Sequence, residues 1–417
     1  STKGNLDTIR FGAGIKPADL IFIHPVCPPN VSSNDPSYVN ENDLIIRFKN
    51  NPDDQITVEN YFRNYRGIDQ PNENAIERIE FTDSKAVLTA KDIIAQARIR
   101  HGTAKDDNIY GLADDGNDTL IGGKGNDYLR GGYGNDTYIF SKGDGKDTIY
   151  DDDSTEGNLD TIRFGAGIKP ADLIFIHPVC PPNVSSNDPS YVNENDLIIR
   201  FKNNPDDQIT VENYFRNYRG IDQPNENAIE RIEFTDSKDV LTAKDIIAQA
   251  RIRHGTAKDD HIGGLADNGN DTIIGGKGND YLNGGYGNDT YIFSKGDGKD
   301  TIYDEDSTKG NLDTIRFGAG IKPADLIFKY VNNNLQISQH GSTDSVTVNS
   351  WQYGESYQIE NVRTANGSMI TNTQVDKLIQ AMATFQHDTG MSWEQALKSQ
   401  PSRVQTVLQD YWTIPSA

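Results

Sequence analysis

The sequence predicts an all-β-dominated protein, in which parallel β-rolls alternate with β-rich segments and a small helical unit closes the C-terminal end. Three observations predict it. A nine-residue unit, Gly-Gly-x-Gly-x-Asp-x-apolar-x, occurs twice in succession at 122–130 and 131–139. A block opening Gly-Asn-Leu-Asp-Thr-Ile-Arg-Phe-Gly begins at Gly4, Gly157 and Gly310, a repeat of 153 residues. A sustained amphipathic pattern of the helical kind begins only at Thr373.

The nine-residue unit matches the nonapeptide of calcium-binding parallel β-helices, and its chemistry agrees. Adjacent glycines reach backbone angles that other residues resist, so the loop curls and turns its carbonyls inward. Carbonyl and carboxylate oxygens together suit a hard cation such as calcium. Weaker units flank the central pair at 102–109, 114–120 and 143–149. The aspartates of the first roll are therefore Asp107, Asp118, Asp127, Asp136 and Asp147, at steps of 11, 9, 9 and 11 residues. Two units make one turn. Asp118 is then expected over Asp136, with Asp107, Asp127 and Asp147 in the opposite column. One apolar side chain per unit recovers less than the ordering of nine residues costs, and stacked carboxylates repel. Calcium binding and folding are thus expected to be one equilibrium, with an unstructured metal-free roll.

Composition narrows the partners. The chain has 417 residues, with 62 Asp and Glu against 40 Lys and Arg and a net charge of −22. That balance argues against nucleic acid and for cations. The 35% hydrophobic content is low for one large core, and 38 glycines point to turns. Two cysteines, Cys27 and Cys180, supply neither a disulfide framework nor a cysteine metal site. No apolar run is long enough for a transmembrane segment. No signal peptide is visible, but the chain begins inside a repeat and reads as an excerpt from something longer.

In order, a β-rich segment spans 1–101 and the first roll 102–153. Second copies follow at 154–254 and 255–306, then a shortened third segment at 307–372 and a helical unit at 373–417. The second roll repeats every aspartate, as Asp260, Asp271, Asp280, Asp289 and Asp300. Within the first segment, 7–11, 43–48, 55–58 and 76–81 read as strands between turn residues. Residues 89–98 read as a short helix capped by Thr89. In the closing unit Val375, Leu378, Ile379, Met382 and Phe385 share one helical face. Ser392 and Gln395 form a capping-box pattern for a second helix, and Val404, Val407, Leu408 and Tyr411 suggest a third.

The nonapeptides resemble those of RTX (repeats-in-toxin) proteins. The stretch 160–173 resembles the haemolysin-type calcium-binding-related domain that alternates with them, and the long duplication looks most like the iron-regulated Frp-type and Apx-type exotoxins. The resemblance implies several calcium ions per roll, held by loop carbonyls and stacked aspartates. Carried onto this chain, the first roll offers Gly122, Gly123, Lys124, Gly125, Gly131, Gly132, Tyr133 and Gly134 with Asp118, Asp127 and Asp136. The second offers Gly275, Gly276, Lys277, Gly278, Gly284, Gly285, Tyr286 and Gly287 with Asp271, Asp280 and Asp289. The flanking loops add Gly116, Gly143, Gly145, Gly269, Gly296 and Gly298. There Lys105 and Lys258 replace the fourth-position glycine, and insertions are expected to disturb the stacking near Asp107, Asp147, Asp260 and Asp300. The resemblance also implies export by type I secretion machinery from a Gram-negative cell, with an uncleaved signal in the last 40–60 residues. The chain is thus expected to be secreted, with calcium folding it outside the cell.

No catalytic motif appears: there is no Gly-x-Ser-x-Gly, His-Glu-x-x-His or phosphate loop. The expected function is therefore a calcium-dependent folding and secretion module, not an enzyme. The alternative is an adhesin or surface-layer component whose repeats form a calcium-stiffened spacer. Autoprocessing at Asp35-Pro36 or Asp188-Pro189 is a further alternative, though Asp-Pro also initiates ordinary turns. His24 with Cys27, and His177 with Cys180, read as loop residues. The aromatic clusters at 61–65 and 214–218 suit either packing or contact with a glycan or host surface.

Overall fold

The computed structural model describes residues 6–27, 38–63, 74–153, 155, 157–180, 184, 191–216 and 228–413. The two Asp-Pro bonds, Tyr65 and Tyr218 lie outside them. The described chain is strand-rich, with repeated parallel strands and its longest helix near the C-terminal end. It forms two compact units. One comprises 1–175, 196–216 and 224–246; the other comprises 176–195, 217–223 and 247–417.

The second unit shows how the nonapeptide becomes structure. Each glycine loop is followed by a strand of three or four residues whose middle apolar member points inward, as the two-residue period of a strand requires. Successive strands alternate between two sheets. Ile252–His254, Thr272–Ile274, Thr290–Phe293 and Thr314–Phe317 line one; His261–Gly263, Tyr281–Asn283 and Lys299–Ile302 line the other. All of these pairings are parallel. Ile273, Tyr291, Ile315 and Val362 stack in register across the first sheet. Ile262, Leu282, Ile302 and Val348 stack across the second. None of these eight is more than 1% exposed.

The roll does not stop at its last glycine loop. Ser345–Val348 and Asn361–Thr364, from the β-rich segment that follows, add the next parallel rung to each sheet. Antiparallel strands then close both sheets: Asn334–Gln339 and Leu326–Val331 on one, Met369–Thr371 on the other. Met369 and Thr413 exchange two backbone hydrogen bonds of 3.0 and 2.8 Å, so the chain's own tail meets that free edge. Asn372–Thr389 buries Val375, Leu378, Met382 and Phe385. Ser392 and Gln395 form the reciprocal cap of Trp393–Ser399, and Pro401–Gln409 buries Val404 and Leu408. Trp393 and Trp412 join these residues and the roll's inner stack in one core.

The first unit repeats the plan. Thr119–Ile121 and Thr137–Phe140 continue into Thr161–Phe164 and Arg231–Phe234, while Lys146–Ile149 continues into Asn204–Val211. Ahead of that roll, Thr8–Phe11 pairs in parallel with Arg78–Phe81, and Leu20–Ile23, Leu44–Phe48 and Asn51–Val58 form an antiparallel sheet. Ala90–Ala97 carries the expected Thr89 cap, closed by Asp92. The strand Leu20–Ile23 is not among the sequence-based expectations. Its apolar run follows the tight turn Pro17–Asp19, which leaves Leu20 and Phe22 facing inward. Tyr61 and Phe62 are 3% and 6% exposed, and Tyr214 and Phe215 are as deeply buried, so these aromatics pack in the core. His24 is packed as well, 4.0 Å from the Phe62 ring with Nε2 bonded to the Glu41 carbonyl at 2.7 Å.

Leu282 lies between Ile262 and Ile302 with no solvent exposure. Leu282→Ala at saturating calcium is expected to cost about 2–5 kcal/mol, read as a lower urea midpoint. An exposed loop substitution such as Tyr286→Ala, at a side chain 53% exposed, is expected to change it by less than about 0.5 kcal/mol.

Candidate metal centre

The aspartates stand in the two columns that the spacing predicts, and the hydrogen bonding explains why. The Asp107 amide donates to Asp127 Oδ1 at 2.8 Å, and the Asp127 amide to Asp147 Oδ1 at 2.9 Å. In the other column the Asp118 amide donates to Asp136 Oδ1 at 2.7 Å. The second roll repeats this from Asp260 to Asp280 to Asp300 and from Asp271 to Asp289. Each carboxyl thus accepts from the main chain one turn back. The flanking aspartates keep their place in the columns, since the two-residue insertions are absorbed in the loops.

Glycine is required at two kinds of place, where a loop curls onto its own aspartate and where it meets the loop one turn back. A Cβ on Gly122 would lie 2.3 Å from Asp127 Oδ2. At Gly125 it would lie 2.5 Å from the Lys105 carbonyl oxygen, and φ there is +133°, a region that side chains resist. Lys124, Tyr133, Lys277 and Tyr286 occupy the loop tips with exposed side chains, leaving only their backbone to face inward.

The columns extend beyond the nonapeptides. Above Asp136 stands Asp160, accepting its amide at 2.7 Å, and the Asp160 amide donates to Glu230 Oε2 at 2.7 Å. Asp313 and Glu360 continue the second roll in the same way. Sequence reasoning missed these four as column members. The signal was present: Asp160-Thr-Ile and Asp313-Thr-Ile repeat the Asp-Thr-apolar order of Asp118-Thr-Leu. It also missed an outer ladder, in which Asn117 Oδ1 accepts from the Asn135 amide and Asn135 Oδ1 from the Leu159 amide. The lower end holds an arginine. Arg98 contacts Asp118 at 3.2 Å and Asp114 at 2.6 Å, and Arg251 does the same with Asp271 and Asp267. That guanidinium supplies a fixed positive charge to the first carboxyl of its column.

The donor set fits calcium. Asp107 Oδ1, Asp127 Oδ2, Asp136 Oδ2, Asp280 Oδ2 and Asp289 Oδ2 are buried with no hydrogen-bond partner. A carboxylate oxygen accepts only, so burying it without a donor is costly. Oxygen-only surroundings rich in carboxylate suit calcium over softer metals. Burial pushes the carboxyls of Asp118, Asp136, Asp147, Asp289 and Asp300 up to about 7. Burial likewise brings Asp127, Asp271 and Asp280 to about 6. For Asp118 the Arg98 charge opposes the rise, and Asp136 adds to it.

Comparison with known proteins agrees with this geometry. The model of the RTX calcium-binding nonapeptide repeat matches residues 112–146 and 265–302. That of the haemolysin-type calcium binding protein related domain matches 43–87, 196–238 and 334–374. Within those spans the chain carries RTX calcium-binding nonapeptide repeats and haemolysin-type calcium-binding-related domains. The metal of such repeats is calcium. A curated relative, iron-regulated protein FrpA of Neisseria meningitidis serogroup C, is 35% identical over 94 residues, which is 22% of this chain and 8% of FrpA. The extracellular lipase LipA of Serratia marcescens aligns over 58% of this chain and 37% of its own, at 17% identity and a TM-score of 0.19. This chain thus spans only a small part of FrpA and well under half of LipA. Among the described residues no helix is long and apolar enough to cross a membrane.

The raised carboxyls set the sign of a pH effect. A carboxyl whose folded pKa lies above its unfolded value stabilises the metal-free fold below about pH 4. That stability is lost as pH rises through about 6 to 7. Calcium-free protein is therefore expected to show more β signal by far-UV circular dichroism near pH 4 than near pH 8. The calcium midpoint is expected to fall as pH rises through the same window.

Proposed function

We propose that this chain is a calcium-dependent folding module of a secreted RTX-type protein. It stays extended where calcium is scarce and folds where calcium is abundant. The observation that carries this reading is the set of buried carboxylate oxygens without donors, repeated in both rolls at the nonapeptide aspartates. Asp118, Asp127 and Asp136, with the loop carbonyls of 122–125 and 131–134, would hold the ions in the first roll. Asp271, Asp280 and Asp289, with the carbonyls of 275–278 and 284–287, would hold those in the second. Asp107, Asp147, Asp260 and Asp300 stand in the same columns and would share the outer ions.

The mechanism is electrostatic. Without metal the columns bring like charges together, and the short strands bury too little apolar surface to offset this. Calcium supplies the missing charge, so its binding energy becomes folding energy. Export through a type I secretion channel needs an unfolded chain, and low cytosolic calcium provides one. Outside, weak extracellular-type sites fill at millimolar calcium. The β-rich segments, which add the next rung to each roll, then lock the upper ends. The chain itself carries this out by folding, without catalysis.

Calcium titration followed by far-UV circular dichroism tests the reading. A cooperative gain of β signal at submillimolar to millimolar calcium, absent with magnesium, is expected. A fully folded spectrum in chelator at neutral pH overturns it. Asp280→Asn keeps the shape but removes a column charge, and is expected to raise the calcium midpoint about ten-fold or more. An electrophoresis lane at each end point shows whether either Asp-Pro bond is cut.

A further inference from the structure

The rolls use one carboxylate per nonapeptide, but the second unit gathers three at a place that the nonapeptide does not encode. Asp289 comes from the last complete glycine loop. Asp304 follows the strand Lys299–Ile302 by two residues, and Asp313 immediately precedes Thr314–Phe317. An oxygen of each carboxyl lies within 4.8 Å of the others. The three residues are 0%, 3% and 3% exposed.

The hydrogen bonds at this seam can be counted oxygen by oxygen. Asp289 Oδ1 accepts from the Asp271 amide at 2.7 Å. Asp313 Oδ1 accepts from the Asp289 amide at 2.8 Å, and its Oδ2 from Asn311 Nδ2 at 2.9 Å. Asp304 Oδ2 accepts from the Tyr291 hydroxyl at 2.8 Å. Asp289 Oδ2 and Asp304 Oδ1 remain, both buried and both without a donor. Two orphaned acceptors beside a third carboxylate, away from water, call for a cation.

We propose that Asp289, Asp304 and Asp313 hold a further calcium ion at the seam where the second roll passes into the β-rich segment after it. The inference rests on the reading of the rolls as calcium-binding. The donors are all oxygen, with no histidine or cysteine among the three, which selects a hard divalent cation over zinc or copper. Tyr291 gains a reason by this account. Most repeats place an aliphatic residue at its position, as at Leu282 and Ile273. Its hydroxyl accepts the Gly284 amide at 2.6 Å and donates to Asp304, which fixes the Asp304 carboxyl against the glycine loop. The site would tie the last loop of the roll to the first strand of its cap, so that the cap docks only on a metal-loaded roll.

Anomalous diffraction from wild-type crystals grown with terbium(III), a calcium substitute, tests this without any variant. The expected result is a peak within about 2.6 Å of Asp304, in addition to peaks in the glycine loops. Peaks in the loops with none at Asp304 overturn the seam site and leave the roll reading standing. Peaks in neither place overturn both. In solution, Asp304→Asn is expected to lose about one bound calcium per chain by equilibrium dialysis and metal analysis. Folding at saturating calcium is checked by circular dichroism. An unchanged ion count in a folded Asp304→Asn protein also overturns the proposal.

Discussion

The structure depends on one repeated contact, a buried aspartate carboxyl that accepts the backbone amide of the aspartate one turn before it. This contact sets the height of a turn and aligns the columns. It also leaves the second oxygen of several carboxyls facing its neighbours without a donor. Gly125 and Gly134 follow from it, because a Cβ there would meet the backbone of the loop one turn back. The short strands follow too, since each loop must deliver one inward apolar residue in register with the one below. Ionised carboxylates stacked in a column repel one another, so the contact that organises the roll also gathers the negative charge that a bound cation would offset.

In the columns that begin at Asp118 and Asp271, the ends are treated differently from the middle. At the lower end an arginine side chain lies on the first carboxyl, so charge is supplied by the chain itself. At the upper end the column runs on through Asp160 to Glu230, or Asp313 to Glu360, whose carboxyls cap the last amides. In the N-terminal segment the Asp7 amide donates to Glu77 Oε2 in the same manner. The haemolysin-type segments are therefore read as continuations of the roll in which sheet pairing and side-chain caps replace the glycine loop. Their antiparallel strands and, in the last copy, the helical unit then extend the roll's narrow inner stack into a larger packed core.

Much of this was legible in the sequence, for a physical reason. The nonapeptide fixes loop geometry, strand position and carboxylate together, so spacing alone stacks Asp118 with Asp136 and Asp107 with Asp127. The capped helices were legible because Thr89 and Ser392 each have a partner three residues on. What escaped were contacts between residues far apart in the chain. Glu230 caps Asp160 from 70 residues away, and Glu360 caps Asp313 from 47. No local period marks either glutamate. Arg98 was hidden for a similar reason, since a lone arginine at the end of a helix resembles any solvated charge. The insertions near Asp147 and Asp300 were expected to disturb stacking. They do not, because the extra residues enlarge the loop while the aspartate and strand keep their register.

On the proposed reading, calcium is the charge on which the amide-to-carboxyl ladder depends. Hydrogen exchange measured residue by residue, with and without calcium at neutral pH, tests it most directly. The amides of Asp118, Asp127, Asp271 and Asp280, which donate along the columns, are predicted to be strongly protected in calcium and to exchange freely in chelator. Equal protection of those amides in both conditions would show that the columns stand without metal, and would contradict the account.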